Sequence, residues 1–305
     1  MRVILTGLMA LFMLFPLMGQ MANTKKAFAE VKRSKIILGL SGNEAVDNTL
    51  RTAVDSFFRF ARVVEELPYK DALAKAHKDD RMMVLYLDQL RSETTLASNS
   101  LNGSGALVTS WIPGPASRSA VLTISAGKNL KKNMMAYVAL PLGDDDELPA
   151  AAVHFGVATL EDMARTINRA PKKPAQYYKE TIEKRGRRLK TKTLYVLDQV
   201  FEKKYSAEEF IDTYGFEVKV VGLARWSEVI LNQEEGAAYA IVSPVPLGGR
   251  HVYVHYLVDA SSGQTMGAAY PAVALSLGPV NLSKGNSFTM NKKVAKLYHE
   301  AAAGK

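Results

Sequence analysis

The sequence predicts an α/β protein of two similar lobes, each running β-α-β-α-β into a β-meander and a closing helix, with mixed sheets. Three observations carry this. Strand-length apolar runs alternate with helix-period stripes twice along the chain, an order that favours parallel neighbours with helices covering the sheet. Each alternation then gives way to two alternating runs joined by turn residues. Laying Phe60–Leu87 on Phe216–Ser243 needs no gap over 28 residues, and the apolar positions largely agree. Only Phe60/Phe216, Val64/Val220 and Leu67/Leu223 are identical, so the duplication is read from element order and spacing.

In the first lobe, Lys35–Leu40 reads as a strand, and Ser41-Gly42-Asn43 as a turn ending in a helix N-cap. Val46, Thr49, Leu50, Ala53, Val54 and Phe57 then recur at helical spacing and form one apolar stripe. Phe60–Leu67 is a second strand, Pro68 opens a helix to about Asp79, and Met82–Leu87 has strand length. Ala120–Ser125 and Met134–Leu140 form the meander, and Thr159 is expected to cap a closing helix carrying Leu160, Met163 and Ile167. Residues 89–119, rich in Ser, Thr, Asn, Gly and Pro, read as a long insert found only in this lobe, either mobile or functional.

The second lobe repeats the order. Thr193–Val200 is a strand, Ser206 to Glu209 a capping box, and Gly215 closes the helix it opens. Phe216–Val221, a helix around Trp226, Val229 and Ile230, and Ala237–Val242 follow. His251–Asp259 and Thr265–Tyr270 flank a turn at Ala260–Gly263, and Val294, Leu297 and Tyr298 mark the last helix. The expected domains are 1–29, signal peptide and flexible mature N-terminus; 30–170, first lobe; 171–192, basic linker helix; and 193–305, second lobe.

Met1-Arg2 followed by the 16-residue apolar run Val3–Met18 matches a secretory signal, too short for a membrane span of about 20 residues. Cleavage is expected between residues 20 and 30, near Gln20–Ala22 or at the A-x-A sequence Ala27-Phe28-Ala29. An exported periplasmic or envelope location follows. With no cysteine in 305 residues, disulfides, thiolate metal sites, cysteine nucleophiles and cysteine-anchored lipoproteins are excluded.

The net charge of +9 is concentrated. Between Arg165 and Lys192 eleven basic residues face Glu180 and Glu183 alone, while the rest of the chain balances. From Pro174 a helix places Tyr178, Ile182 and Leu189 on one side, with Gly186 weakening it, and Lys184, Arg185, Arg187 and Arg188 are the candidate contacts for an anionic partner. The bland alternative is a solvated linker. Trp111, on a Gly/Pro-rich stretch, is the candidate contact in the insert.

His251, Tyr253 and His255 share one face of a strand, read as the outer face of a half-exposed sheet or as a cleft floor. The two histidines sit about 13 Å apart at roughly 3.3 Å per residue, too far to share one zinc ion. Asp144–Glu147 lacks the spacing of a calcium loop, and Gly39–Asn43 lacks a nucleotide-binding signature. No serine lies in G-x-S-x-G, so no catalytic residue, metal or cofactor is assigned.

The sequence therefore favours a non-enzymatic exported protein that binds an envelope protein or an anionic membrane or polymer surface, with nucleic acid not expected. A two-lobed solute receptor with a small-molecule ligand is the alternative, and an envelope hydrolase carries low weight. Oligomeric state is left open.

Overall fold

The computed structural model describes residues 25–101, 107–126, 134–142, 147–201, 205–247, 250–269 and 288–304, with the backbone alone over 89–118, 134 and 246–252. The apolar run Val3–Met18, Asp144–Asp146 and the side chains of Trp111 and His251 lie outside the described residues.

Helix α1 (Lys25–Arg33) precedes β1 (Lys35–Leu40), α2 (Glu44–Phe57), β2 (Arg62–Pro68), α3 (Tyr69–Lys78), β3 (Met82–Leu101), β4 (Leu107–Ala126), β5 (Met134–Leu140) and α4 (Ala150–Arg169). Helix α5 (Pro174–Gly186) and a 3₁₀ turn (Arg187–Thr191) lead into β6 (Thr193–Leu197), α6 (Ala207–Tyr214), β7 (Val218–Val221), α7 (Leu223–Leu231), β8 (Ala237–Leu247), β9 (Arg250–Asp259), β10 (Thr265–Ala269) and α8 (Lys292–Ala303). The protein is α/β with two mixed five-stranded sheets, ordered β2-β1-β3-β4-β5 and β7-β6-β8-β9-β10. These orders are the same, strand for strand. In each, the first three strands are parallel and the last two antiparallel. The gapless alignment holds: Arg62 and Val218 open equivalent strands, and Met82 and Ala237 depart from it by one residue.

Local signals set several boundaries. The Asn43 side chain accepts from Ala45 N and Val46 N at the start of α2, and Ser206 and Glu209 form a reciprocal capping box on α6. Three expectations change. Thr159 caps nothing: it lies fully buried in the middle of α4, which begins after Pro149. Residues 25–29 are not a flexible terminus, because Phe28 is fully buried in α1, edge-on to Phe60 at 6.1 Å between ring centroids.

Residues 89–101 and 107–119 are not a loop but extend the β3–β4 pair, whose strands reach 20 residues each against 11 and 10 in the second lobe. Thr, Val, Leu, Ile and Trp suit an extended backbone. The Pro113-Gly114-Pro115 breaker falls at a bulge, where Glu93 pairs with Ala116 and Thr95 with Pro113, so that two residues oppose Thr94.

Helix α4 joins the lobes. Sixteen of its 20 residues are buried, so it has no solvent face on which a helical stripe could be read. It packs against α1, α2 and β5 of the first lobe, against α5, and against α7 of the second lobe. One apolar cluster runs through both lobes, with Phe155 and Tyr256 rings 5.4 Å apart. Two serines also cross the joint: Ser119 Oγ donates to Pro244 O (3.0 Å) and Ser243 Oγ to Ala139 O (2.7 Å). The β9–β10 turn presses in so closely that a Cβ on Gly263 would come within 2.5 Å of the Ala158 methyl, and its φ of 66° also favours glycine.

Candidate functional site: the basic face of the joint

Helix α5 lies against the body through Tyr178 and Ile182, and the turn after it through Leu189, the three residues whose spacing predicts a shared side. Gly186 has a positive reason to be there. A Cβ at this position would stand 2.3 Å from the carbonyl of Ala301, so glycine lets α5 cross the end of α8 at close range. The apolar side is thus consumed by packing.

The four candidate cations divide into two kinds. Arg185 is structural: its Nη1 lies 2.8 Å from both carboxylate oxygens of Asp162 and 3.4 Å from Thr265 O, and its Nη2 reaches Thr166 Oγ1 at 3.3 Å. Asp162 also accepts from Thr265 N at 3.2 Å. Because Asp162 belongs to α4 and Thr265 to β10, this guanidinium ties the two lobes together. Arg188 ties the segment to the second lobe alone, with Nη2 3.0 Å from Asp259 Oδ2 and Nη1 3.0 Å from Gln264 Oε1; Lys192 Nζ reaches the same carboxylate at 3.1 Å. Burial alone would raise the Asp259 carboxyl, but hydrogen bonds from Ser261, Lys192 and Ser262 and the Lys192 charge outweigh it and hold it below the ordinary carboxylate range.

Lys184 and Arg187 are the other kind. Both are exposed, as are Arg169, Lys172, Lys173, Lys179 and Lys190. Lys179 has Glu183 3.6 Å away, Lys190 Nζ sits 5.7 Å from the Phe216 ring centroid, and the Arg187 stem lies beside Gly304. The excess of charge counted between Arg165 and Lys192 is therefore partly cancelled from outside that window. Arg165 pairs with Glu161, Arg185 with Asp162, and Arg188 and Lys192 with Asp259. Glu161–Arg165 is an i,i+4 pair that spacing can suggest, but counting along the sequence does not reveal Asp162 or Asp259 as partners, although Asp259-Ala-Ser-Ser carries a readable turn in which the aspartate accepts from Ser261 N and Ser262 N.

The other candidates lie elsewhere. His255 is fully buried, with Nδ1 3.0 Å from the Tyr298 hydroxyl, and Tyr253 is partly buried with its ring 5.7 Å from that of Phe288. Tyr298 of α8 lies against His255 and shares a cluster with Leu257 on this side of β9, while Val254, Tyr256 and Val258 enter the central core, so over residues 253–258 the strand is neither the outer face of a half-exposed sheet nor a cleft floor. Trp111 stands opposite Ala97, and His251 opposite Pro246, in their ladders. The structure does not bring these residues to the basic face.

At Gly39–Asn43 the backbone donors are already used: the buried Asp47 carboxylate accepts from Ser41 N, Ser41 Oγ and Gly42 N at 2.8–3.0 Å, which makes this a self-satisfied β-α turn. A surface hollow of about 450 Å³ is lined by Lys32, Asp55, Phe58, Arg59 and Arg62 within the first lobe. Arg59 there is spoken for by the carbonyls of Val54, Asp55 and Phe58. Compared with models of known families, with curated proteins and with solved structures, the chain matches none, and a functional reading rests on this geometry alone.

Proposed function

We propose that the chain is an exported, non-enzymatic envelope protein that docks on an anionic surface through the outward cations of α5 and the turn that follows it. The carrying observation is the division of labour on this segment. Tyr178, Ile182, Leu189, Arg185 and Arg188 anchor it rigidly to both lobes, which leaves Lys172, Lys179, Lys184, Arg187 and Lys190 displayed on a fixed support. A preordered cationic face loses little side-chain support when it meets an anionic layer, and each basic residue near such a surface contributes about 1 kcal/mol. The packed joint, with α4 and the Phe155–Tyr256 contact where a receptor would hold its ligand, favours this reading over a solute receptor.

The test uses the chain without its signal and a variant in which Lys172, Lys179, Lys184 and Lys190 become Gln, none of which holds a buried carboxylate. Sedimentation with vesicles containing an anionic phospholipid should show binding at low salt that weakens as salt rises, because screening shortens the reach of surface charge. The variant should bind at least about tenfold more weakly. Equal binding by both proteins, or binding that ignores salt, would remove the proposal.

A further inference from the structure

The strongest unexplained feature is the hairpin arm. β1 pairs with β3 only as far as Tyr86, and β5 pairs with β4 only over Ala120–Ser125. Among the described residues, Arg91–Leu101 and Leu107–Arg118 form a ladder only with each other. At about 3.3 Å per residue the two strands run side by side for roughly 40 Å, and each carries a row of outward N–H and C=O groups along its outer side. β3 and β4 also meet β8 and β9 of the second lobe, but a two-stranded ribbon with nothing packed along it is marginal in water.

We infer that this arm joins one copy of the chain to another, the β4 edge of one arm adding to the β3 edge of the next. The two outer edges are similar in length and opposite in direction, so copies set side by side continue one antiparallel ladder, each edge serving as the other's partner. A foreign peptide strand would fill one edge and leave the second open.

Charge points the same way. Edges of monomeric sheets are commonly blunted by charged residues, above all Lys, yet residues 89–119 contain no Lys and only Arg91, Glu93 and Arg118 as charged residues. Within the arm Arg91 and Arg118 occupy opposed register positions, an arrangement that is unfavourable for like charges. A junction between copies staggered by two residues sets Arg118 opposite Glu93 of the next copy and relieves it. Pro113, Pro115 and the bulge do blunt the β4 edge locally, which confines the junction to Leu107–Ile112 and Ala116–Ser119. Because the two edges differ, the contact is head to tail and builds a ring or an open filament.

Light scattering on the signal-free chain over a range of concentrations tests this. The native chain should assemble beyond a monomer. A variant with residues 91–118 replaced by Asn-Gly should be monomeric with unchanged circular dichroism. Arg118→Glu places an acid opposite Arg91 in its own arm but opposite Glu93 of the next, so it should weaken assembly about tenfold, and adding Glu93→Arg should restore it. These point variants keep the test decisive if the shortened chain does not fold. A native chain that stays monomeric, an arm-less chain that assembles equally, or failure of the double variant to recover would overturn the inference. So would an arm needed only for vesicle binding by a monomer.

Discussion

Arg185 does work that its place in a basic run conceals. Its side chain is 18% exposed and that of Asp162 only 7%, so Arg185→Gln strands a buried carboxylate and should cost about 3 kcal/mol, read as a lower urea midpoint. Lys184→Gln next to it should change stability by less than about 0.5 kcal/mol, because the side chain is solvated. Acid sensitivity is also set at this scale, in two windows. Burial lowers the pKa of His154, whose Nδ1 has no hydrogen-bond partner among the described residues, so the unfolded chain binds the proton more readily. The neutral imidazole therefore supports folding fully above its ordinary value of about 6.5, and that support is lost as pH falls below it. Asp259 follows with the same sign lower down: its depressed pKa contributes stability above the ordinary carboxylate value of about 4, lost as pH falls through the folded value. His154→Leu should flatten the first part of the stability profile and Asp259→Asn the second, as measured by urea denaturation across pH.

Elements were legible where a local rule fixes them. Asn43, Ser206 with Glu209, and Gly215 mark helix ends because caps are chemistry within a few residues. The second half of helix α4 is legible in Leu160, Met163 and Ile167, but its first half is not, because burial on every side erases the polar face that makes a helix periodic; Thr159, a good cap by type, suggests a start that Pro149 actually supplies. The arm escaped because Ser, Thr, Gly and Pro describe a loop by composition, whereas the register turns the same Pro-Gly-Pro into a bulge. The buried carboxylates behind Arg185 and Arg188 escaped because their partnerships join residues far apart in sequence. Helix α1 has a consequence for processing. Phe28 and Val31 are fully buried, and Lys25 Nζ donates to Ala170 O at 2.6 Å, so cleavage after Ala29 would discard part of the core. A chain beginning at residue 23 should be more stable than one beginning at residue 30 by about 4 kcal/mol, the usual loss for a buried phenylalanine. Equal denaturant midpoints would count against helix α1 as part of the fold.

At the scale of the molecule, equal strand orders describe two lobes while the packing describes one body. The apolar cluster that includes Ile36, Leu50 and Val121 continues through α4 to Trp226, Tyr239 and Val258. Arg185 and the two crossing serines add polar ties over the same joint. Separating the lobes would expose apolar residues on both sides, at roughly 25 cal/mol for each Å². Neither lobe then has an independent folded state to populate, and heating should produce one transition in which calorimetric and van't Hoff enthalpies agree. The segment Arg185–Lys192 belongs to that cooperative unit, with Leu189 fully buried and Gly186 pressed on Ala301. Trypsin has several basic residues to attack there, but cleavage needs a locally unfolded backbone, so cutting within 185–192 should proceed no faster than global unfolding. Rapid cutting there that leaves two folded halves would show that the joint opens by itself and that the lobes are separate domains after all.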